Sequence, residues 1–366
     1  MNICIIIDCL GVGGAERVTM TLANTLLEGE HTVTIVTIDP DIQISIDPRI
    51  NIYTLYFEKK IFKYRYNRLK MYTLLEQIQS TSSMFDLVLV HLYKSSRIMK
   101  YYQHPCIYHV VHSTQSQSAL KDKKGYARWR AREKIRSVYN DLNLICVSQG
   151  VQTDLLNTMR VNPKSIQTIY NPFDIPDIRD KSQQKIIIPI EEDYFVFVGR
   201  LVKEKRIDYL LEAYKKSNIP QHLLIIGDGE ELEALTQQTE ILRIKHKIHF
   251  IGSVSNPYPL IKKAECLILC SLYEGLPTVL IEALILQTPV MSTDCPSGPR
   301  EILPYYSLDA LVEDNFNNDA LVDKLIEFSK QRPIVNHTCV DSFSSDHIAK
   351  KYLELSSLCQ KDIKLI

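Results

Sequence analysis

The chain has 366 residues, of which 45% are hydrophobic and 23% charged, and its formal net charge is zero. This composition is typical of a globular protein and excludes a disordered or collagen-like chain. No run approaches the length of about eighteen apolar residues that a transmembrane helix needs. A net charge of zero without a recognition motif argues against binding to nucleic acid, and the length is sufficient for two domains.

The first residues and the cysteines indicate a cytoplasmic protein. Met1–Asp8 becomes acidic too early for a signal peptide and is predicted to be a strand. The nine cysteines are odd in number and lie mostly in apolar runs, as expected for reduced thiols in a core. Cys266 and Cys270 fall within one predicted strand, which disfavours a metal site. Asp39-Pro-Asp41 resembles a metal-holding acidic pair but is predicted to be a turn.

Short β-rich runs alternate with amphipathic helical patterns along the whole chain. The strands predicted in the first half are 3–7, 32–38, 51–56, 86–91, 106–112, 142–147 and 165–169. The helices between them are 16–27, 66–79, 127–139 and 149–159. The second half has strands at 194–198, 222–226, 248–251, 266–270 and 289–293. Its helices are 207–216, 230–239, 257–263, 278–286 and 319–330.

This alternation predicts an α/β fold of two doubly wound, Rossmann-like domains with parallel sheets. A polar, proline-containing stretch at 171–192 marks the joint. We therefore predict an N-terminal domain at 1–176, a C-terminal domain at 177–345 and a final helical segment at 346–366. No internal repeat or low-complexity tract is present.

A glycine-rich segment, Leu10-Gly-Val-Gly-Gly-Ala-Glu-Arg17, follows the first strand and opens the first helix. Glycines let backbone approach a ligand closely, and a helix start directs N–H groups at a phosphate or sugar. Gly13 and Gly14 are therefore candidate ligand-binding residues, although a simple tight turn has the same pattern. Glu16 replaces the third glycine of the dinucleotide fingerprint, which argues against a nicotinamide cofactor.

His112 ends the predicted strand 106–112 and is followed by two hydroxyl residues. A histidine at the carboxyl end of a parallel strand is placed for polar contact with a substrate. We therefore assign His112 to the active site. His109 lies in the middle of the same strand and is expected in the core.

Arg200 and Lys205 follow the strand that opens the second domain, at the start of its first helix. Two fixed cations in this position would neutralise a diphosphate and stabilise it as a leaving group. Solvated loop charges are the alternative. A second glycine turn, Gly227-Asp-Gly229, is expected to shape the floor of the same crevice.

Two glutamates bracket the segment between a buried strand and a helix. Glu274 lies in the strand-to-helix loop, where a ligand meets the carboxyl end of a parallel sheet. Glu282 lies about one turn into the helix, for which Thr278 is the predicted N-cap. Phosphate suits the helix start, whereas hydroxyl-rich sugar and ribose suit the two carboxylates.

Two basic stretches suit an anionic membrane surface. Lys59–Lys70 has six cations, no acid and interleaved aromatic residues, and Lys121–Arg136 has eight cations, two acids and Trp129, the only tryptophan. Cations with aromatic rings at an interface adsorb to anionic bilayers. The alternative is a solvated helix face in each case.

Together these motifs make the chain similar to a retaining family-4 glycosyltransferase with the GT-B architecture, of the bacterial lipopolysaccharide, capsule and O-antigen type. The resemblance covers nearly the whole chain and rests on seven short motifs in the order of the family. They are 13–18, 147–148 with 169–172, 198–200 with 204–205, 226–229, 251–252, 274–282 and 292–301.

The resemblance implies two domains that face each other across a cleft, and a final helix that crosses back to the first. It implies that Arg200 and Lys205 hold the donor diphosphate, that Glu282 holds the ribose and that Glu274 contacts the donor sugar. Further implied contacts to the donor come from Gly13, Gly14, His112, Ser253, Val254, Gly275, Leu276, Pro277 and Thr278. No metal and no cofactor besides the UDP-sugar co-substrate is implied.

The chain departs from the family pattern at two places. Arg206 stands where many members have a glycine after the lysine, and 303–310 lacks the glycine-rich turn that often precedes the next strand. The second departure leaves the local shape open.

The expected activity is transfer of a hexose or N-acetylhexosamine from a UDP-sugar to a lipid-linked or surface-polysaccharide acceptor. The protein is expected at the inner face of the cytoplasmic membrane, without binding nucleic acid. A nucleotide-sugar epimerase of the same architecture and a catalytically idle nucleotide-sugar-binding subunit remain alternatives. The residues distinguish neither the donor sugar nor a covalent from a front-face route to retention.

Overall fold

The computed structural model describes residues 1–11, 13–59, 63–186, 190–313, 318–335 and 340–363. The chain divides into two compact units. Unit 1 comprises Met1–Phe173 and Phe343–Ile366, and unit 2 comprises Asp174–Ser342. Each boundary lies three residues before the position predicted from the sequence.

Unit 1 contains a seven-stranded parallel sheet. Its strands are β1 (Asn2–Ile7), β2 (Thr32–Thr37), β3 (Asn51–Thr54), β4 (Leu87–His91), β5 (Ile107–Val111), β6 (Asn143–Cys146) and β7 (Ser165–Thr168). They lie in the order β3-β2-β1-β4-β5-β6-β7. The order reverses between β1 and β4, and open parallel sheets bind ligands outside the carboxyl ends of the strands at such a reversal.

Six helices connect these strands in the part of unit 1 that the structure describes. They are α1 (Gly14–Glu28), α2 (Lys63–Thr81), α3 (Tyr93–Met99), α4 (Gln115–Leu120), α5 (Gly125–Tyr139) and α6 (Gln149–Thr153). A π-helical turn, Asp154–Thr158, extends α6. Every residue of β1, β4 and β5 is buried because these central strands are apolar and covered on both faces.

Unit 2 repeats the architecture with six parallel strands. They are β8 (Tyr194–Val198), β9 (His222–Ile226), β10 (Ile248–Phe250), β11 (Cys266–Leu269), β12 (Val290–Thr293) and β13 (Leu311–Val312). Their order is β10-β9-β8-β11-β12-β13, with the reversal between β8 and β11.

Among the described residues of unit 2 there are seven helices. They are α7 (Ile175–Lys181), α8 (Ile207–Ser217), α9 (Leu232–Ile241), α10 (Tyr258–Lys263), α11 (Thr278–Ile285), α12 (Pro299–Ile302) and α13 (Asp319–Lys330). The predicted fold class, two Rossmann-like α/β units, is confirmed.

Helix α7 corrects the sequence prediction, which treated 171–192 as an irregular joint. The side chain of Asp174 accepts a hydrogen bond from the N–H of Asp177 (2.9 Å), and Pro176 lies in the first turn. Aspartate and proline favour turns, but they also favour the start of a helix.

The two departures from the family pattern have distinct local structures. Arg206 adopts φ = 49°, in the left-handed region that favours glycine, and its guanidinium lies 3.9 Å from the centre of the Tyr209 ring. The segment 303–310 forms two 3-10 turns, Leu303–Tyr305 and Leu308–Ala310, which lead into β13.

The last helix, α14 (Ser345–Ile363), lies in unit 1 and packs against α1. A short parallel bridge precedes it: Phe173 N donates to Phe343 O (2.9 Å), and Ser345 N donates to Phe173 O (2.8 Å). The chain therefore leaves unit 1 and returns to it at one point. No helix within the described ranges is both long and apolar enough to cross a membrane.

Candidate active site

The loops after β8 and β9 touch backbone to backbone. Gly199 N donates to Ile226 O (3.0 Å). A Cβ on Gly227 would lie 1.9 Å from Gly199 O, and Gly227 has φ = 141°, so this close approach requires glycine. The turn after β9 thereby supports the backbone that carries Arg200.

Lys205 and Glu274 form an ion pair at the carboxyl ends of β8 and β11. Lys205 Nζ lies 2.5 Å from Glu274 Oε1, and Ser271 Oγ donates to the same oxygen at 2.6 Å. Leu272 N donates to Glu204 O (2.8 Å), which fastens the two loops together. The side chains of Lys205 and Glu274 are 22% and 13% exposed. The pair is therefore shielded on most sides but open to a ligand.

Arg200 is exposed and lies within electrostatic range of Tyr273, the residue that precedes Glu274. Burial raises the pKa of the Tyr273 hydroxyl, the charges of Glu204 and Glu274 raise it further, and the charge of Arg200 lowers it. The structure thus pairs Lys205 with Glu274 and places Arg200 near the adjacent Tyr273. We call Arg200, Lys205 and Glu274 the Glu274 site. The sequence analysis missed Tyr273, although it is adjacent to Glu274 in the same motif.

The turn 275–277 is buried and supported by a neighbouring loop. Ser297 Oγ donates to Gly275 O (2.7 Å). Gly298 has φ = 93°, and a Cβ there would lie 2.2 Å from Pro277 Cδ. The sequence analysis noted the segment that contains Ser297 and Gly298 but assigned these two residues no role. The signal was present, since a glycine between a serine and a proline is typical of a special backbone position.

Helix α11 begins at Thr278 with Pro277 as its N-cap, so the prediction of Thr278 as the cap was wrong by one residue. Glu282 is half-buried one turn later. Ser253 is exposed and Val254 half-buried in the loop after β10. These five predicted binding residues lie at the sheet edge that carries the Glu274 site, because each follows the carboxyl end of a parallel strand.

In unit 1, Gly13 is the N-cap of α1 and Gly14 its first residue, and both are exposed at the carboxyl end of β1. A Cβ on Gly13 would lie 2.3 Å from Glu16 Oε2. The Glu16 carboxylate therefore covers the helix start and would have to move for an anion to bind there. Val12, in the same motif, lies outside the described residues.

His112 directly follows β5 and lines a cavity of about 480 Å³, which we call the His112 cavity. Loops after β1, β4 and β5 and one side of α5 bound it. Its polar and charged lining residues include Asp8, Tyr93, Ser113, Gln115, Lys123 and Lys134. This volume is within the range of small-molecule sites, and the lining offers both hydrogen-bond donors and acceptors.

Asp8 is a lining residue that the sequence analysis missed. Its Oδ1 accepts hydrogen bonds from Ser95 N (2.7 Å) and Ser95 Oγ (2.5 Å). Burial raises the pKa of the Asp8 carboxyl, against the lowering effect of Ser95 and of Lys94. An acidic residue directly after the first strand, at the point where the sheet order reverses, was the available signal.

The half-buried His112 pairs with the buried His91. His112 Nε2 lies 2.9 Å from His91 Nδ1, which also lies 3.0 Å from Thr19 Oγ1. Burial lowers the pKa of His112 to about 4 and that of His91 well below its usual range. Both rings are therefore neutral at pH 7. His109, as expected, is a core residue, with 1% of its surface exposed.

Two protein-family models match the chain in succession. The model described as Glycosyltransferase Family 4 matches residues 12–176, and the model described as Glycosyl transferases group 1 matches residues 178–341. The first match lies within unit 1 apart from its last three residues, and the second lies within unit 2.

Two Campylobacter jejuni enzymes are among the similar proteins. The chain is 27% identical to GalNAc-alpha-(1->4)-GalNAc-alpha-(1->3)-diNAcBac-PP-undecaprenol alpha-1,4-N-acetyl-D-galactosaminyltransferase, over 97% of this chain and 98% of the relative. It is 32% identical to N-acetylgalactosamine-N,N'-diacetylbacillosaminyl-diphospho-undecaprenol 4-alpha-N-acetylgalactosaminyltransferase, over 47% of each chain. The chain spans about half the length of the first curated relatives that it matches.

Solved structures share the fold. The lipopolysaccharide outer core galactosyltransferase WaaB in its apo form has a TM-score of 0.71 at 21% identity, covering 98% of this chain and 100% of that one. Anabaena HepE in complex with UDP and glucose has a TM-score of 0.65 at 16% identity, with full coverage of both chains. Because both family models match in order and each unit is Rossmann-like, the chain belongs to the family-4 glycosyltransferases of the GT-B fold class.

Proposed function

We propose that the chain is a retaining glycosyltransferase that moves a hexose or N-acetylhexosamine from a UDP-sugar without a metal ion. The observation that carries this proposal is the Glu274 site. It places two cations and one carboxylate where the sheet order of unit 2 reverses. HepE, whose fold is similar, was solved with UDP and glucose bound, which supports the choice of nucleotide.

In this mechanism Arg200 and Lys205 bind the diphosphate and stabilise the negative charge that develops as UDP leaves. Charged groups that are preorganised around the developing charge are the largest single catalytic contribution in many enzymes. They supply the charge that a divalent metal supplies elsewhere, which is why we propose metal-independent transfer. The N-terminus of α11, with the backbone of 275–278, adds N–H groups near the same charge.

The carboxylates contact the neutral parts of the donor. Glu274 accepts hydrogen bonds from sugar hydroxyls and faces the positive charge that grows on the sugar ring. Glu282 accepts from the ribose hydroxyls, and the loop with Ser253 and Val254 contacts the base. We also assign Gly13, Gly14 and His112 to donor binding, with His112 as a contact to the sugar.

We propose a lipid-linked or surface-polysaccharide acceptor, of the kind used in lipopolysaccharide, capsule or O-antigen synthesis. The names of the two Campylobacter relatives support this class, because both act on undecaprenol diphosphate-linked sugars. WaaB, a lipopolysaccharide outer core galactosyltransferase, shares the fold.

An acceptor of this kind lies in a membrane, and we propose that the protein adsorbs to its inner face through α5 and the residues before it. All of 121–130 is exposed. The rings of Tyr126 and Trp129 stack with centres 5.5 Å apart, and they are 72% and 53% exposed. Exposed aromatic rings among cations match an anionic bilayer surface.

The other basic stretch, Lys59–Lys70, is a weaker candidate for membrane contact. Lys70 pairs with Glu58 (3.3 Å), and the Arg68 guanidinium lies 4.4 Å from the centre of the Tyr101 ring. Lys60 and its two following residues lie outside the described ranges. Some cations of this stretch therefore interact with other residues of unit 1 and not with a surface outside it.

A thermal-shift panel in EDTA tests the donor. UDP, GDP, NAD and common UDP-sugars are compared on the wild type and on Lys205→Met. A ligand that binds only the folded state stabilises it by about 2.7 kcal/mol at 100 times its Kd. We expect UDP and one UDP-sugar to raise the Tm of the wild type, and a smaller shift in the variant. Stabilisation by NAD alone, or by no nucleotide, contradicts the proposed donor.

Product analysis tests the reaction itself. The donor identified in the panel is incubated with undecaprenyl diphosphate-linked sugars in EDTA, and the anomeric proton of the new linkage is followed by NMR. We expect the anomeric configuration of the donor to be kept. An inverted product contradicts retention, activity that needs added divalent metal contradicts metal independence, and conversion of the UDP-sugar without acceptor indicates an epimerase.

A further inference from the structure

His91 is the last residue of β4 and has no role in the proposed reaction. It is 2% exposed, next to β5 in the sheet, and its Nδ1 contacts both Thr19 Oγ1 (3.0 Å) and His112 Nε2 (2.9 Å). Among these three residues, only His112 is in the lining of the cavity described above. His91 therefore stands behind a cavity residue, on a strand that cannot move independently of the sheet.

The protons of this cluster can be assigned from its hydrogen bonds. Thr19 Oγ1 lies 2.7 Å from Ala15 O, an acceptor only, so the single hydroxyl proton is donated there. Thr19 Oγ1 then accepts from His91, which places the proton of neutral His91 on Nδ1. The Nε2 of His112 faces this N–H at 2.9 Å and must present its lone pair. The proton of neutral His112 is therefore on Nδ1.

The opposite assignment is unfavourable. It would move the proton of His91 to Nε2, which is fully buried and has no hydrogen-bond partner among the described residues. A buried N–H group without an acceptor is costly and rare in proteins. Burial also keeps both rings neutral, since it lowers the pKa of each.

We propose that His91, anchored by Thr19, is a positioning residue that holds His112 as the Nδ1–H tautomer. His112 then offers the cavity a hydrogen-bond donor and not a base. The ligand group it fits is an oxygen acceptor, namely a sugar hydroxyl or carbonyl oxygen or a phosphate oxygen. That the ligand is a sugar rests on the proposed function, whereas the tautomer does not.

The tautomer is measured directly on the full chain labelled with ¹⁵N-histidine. A two-bond ¹H–¹⁵N correlation spectrum at pH 7.5 distinguishes protonated from unprotonated ring nitrogens, and His112→Asn and His91→Asn assign the two signals. We expect Nδ1 protonated and Nε2 unprotonated for both rings. Protonation of His112 on Nε2 overturns the proposal. This readout needs neither substrate nor activity, so it stands even if the proposed reaction is wrong.

Paired variants test the anchor and the positioning residue. Asparagine places its amide nitrogen near the position of Nδ1, whereas glutamine places it near Nε2. We therefore expect His91→Asn and Thr19→Ser to keep the His112 tautomer. His91→Gln and Thr19→Val are expected to give a mixture of the two His112 tautomers. An unchanged His112 spectrum in both His91→Gln and Thr19→Val overturns the role of His91.

Kinetics give the functional readout once a donor and acceptor are known. Loss of an orienting partner of a functional imidazole costs about 10- to 100-fold in related settings. We expect kcat/KM to fall by this factor in His91→Gln. His91→Asn is expected to keep most of the activity. His109→Leu is the matched control, because His109 is equally buried on β5. An equal loss in His109→Leu assigns the effect to packing and overturns the proposal.

Discussion

The Lys205 ammonium lies 2.5 Å from the Glu274 carboxylate, although 69 residues separate them in the chain. The strand order of unit 2 makes this contact possible, because β8 and β11 are neighbours and both loops leave from the same edge. The cation assigned to the diphosphate is thus paired with the carboxylate assigned to the sugar. An arriving diphosphate must compete with Glu274 for Lys205.

This competition predicts opposite effects on binding and turnover for Glu274→Gln. Removing the carboxylate charge frees Lys205, so the affinity for UDP is expected to stay equal or increase. Turnover is expected to fall at least about a hundredfold, the scale for loss of one charged group that acts in the transition state. Calorimetric titration with UDP and initial rates of transfer check the two halves. Turnover at the wild-type rate would contradict the catalytic assignment of Glu274.

Lys205→Met is expected to lower the affinity for UDP by about tenfold to a hundredfold and to leave the affinity for uridine unchanged. Lys203→Met is the matched control, because Lys203 is exposed and lies with Lys205 in one 3-10 turn, Lys203–Lys205. Glu282→Ala, in contrast, is expected to lower the affinities for UDP and uridine equally, by about tenfold, because Glu282 is assigned to the ribose that both ligands contain. Equal weakening of UDP and uridine by Lys205→Met would remove Lys205 from the diphosphate site.

Gly227→Ala is expected to destabilise unit 2 by about 3 kcal/mol, since the new methyl group overlaps the Gly199 carbonyl. Gly252→Ala is the matched control: its φ is 72° and its Cβ would meet open space. The free energy of unfolding of that variant is expected to fall by only about 1 kcal/mol, because alanine is unfavourable in the left-handed backbone region. Urea denaturation compares the two. Similar losses in both variants would show that the backbone contact between the two loops is unimportant.

The buried histidines predict acid sensitivity. Burial lowers the pKa of His109 to about 3 and that of His112 to about 4, whereas an unfolded histidine titrates near pH 6.5. Below about pH 6.5 the unfolded chain therefore binds protons that the folded chain does not, and stability falls as the pH is lowered towards 4. Each such histidine contributes about 1.4 kcal/mol per pH unit in this window.

His109→Leu is expected to remove one such contribution, so its free energy of unfolding should change less between pH 6.5 and 5.5 than that of the wild type. The exposed His246→Gln serves as the control and should keep the wild-type slope. Urea denaturation at the two pH values measures the difference. Equal slopes in His109→Leu and the wild type would contradict a neutral buried His109.

Trp129 gives a direct test of membrane contact, because it is the only tryptophan in the chain and is exposed. Its fluorescence is expected to shift to the blue with anionic vesicles at low salt, and not with neutral vesicles. Arg128→Glu/Arg130→Glu should abolish the shift, since each cation near an anionic surface contributes about 1 kcal/mol. Lys215→Glu/Lys245→Glu, on unit 2, is the charge-matched control. No shift with anionic vesicles would remove the proposed adsorption.

The sequence predicted the elements better than the contacts between them. β8 and β9 were predicted at their observed bounds, because both are apolar runs of ordinary strand length with turn residues after them. α3 and α4 were missed because both are short and four residues of each are polar, so no apolar stripe marks a helical period. The polar helix start at α7 was mistaken for a loop.

The candidate site shows the same contrast: the sequence predicted its residues but not the contacts between them. The loops after β8 and β11 could be identified from their residue types. The contact between Lys205 and Glu274 could not, since it depends on the spatial order of strands, which periodicity does not encode. The same holds for Thr19, His91 and His112, which helix α1 and the ends of the neighbouring strands β4 and β5 bring together.

The bridge between Phe173 and Ser344 makes unit 2 an insertion whose two ends leave unit 1 side by side. Residues 174–342 can therefore be treated as a cassette with two adjacent junctions. Exchanging this cassette for that of a relative would alter the half of the protein proposed to select the nucleotide-sugar. The histidine cluster, the His112 cavity and the basic surface of α5 would stay with the recipient chain.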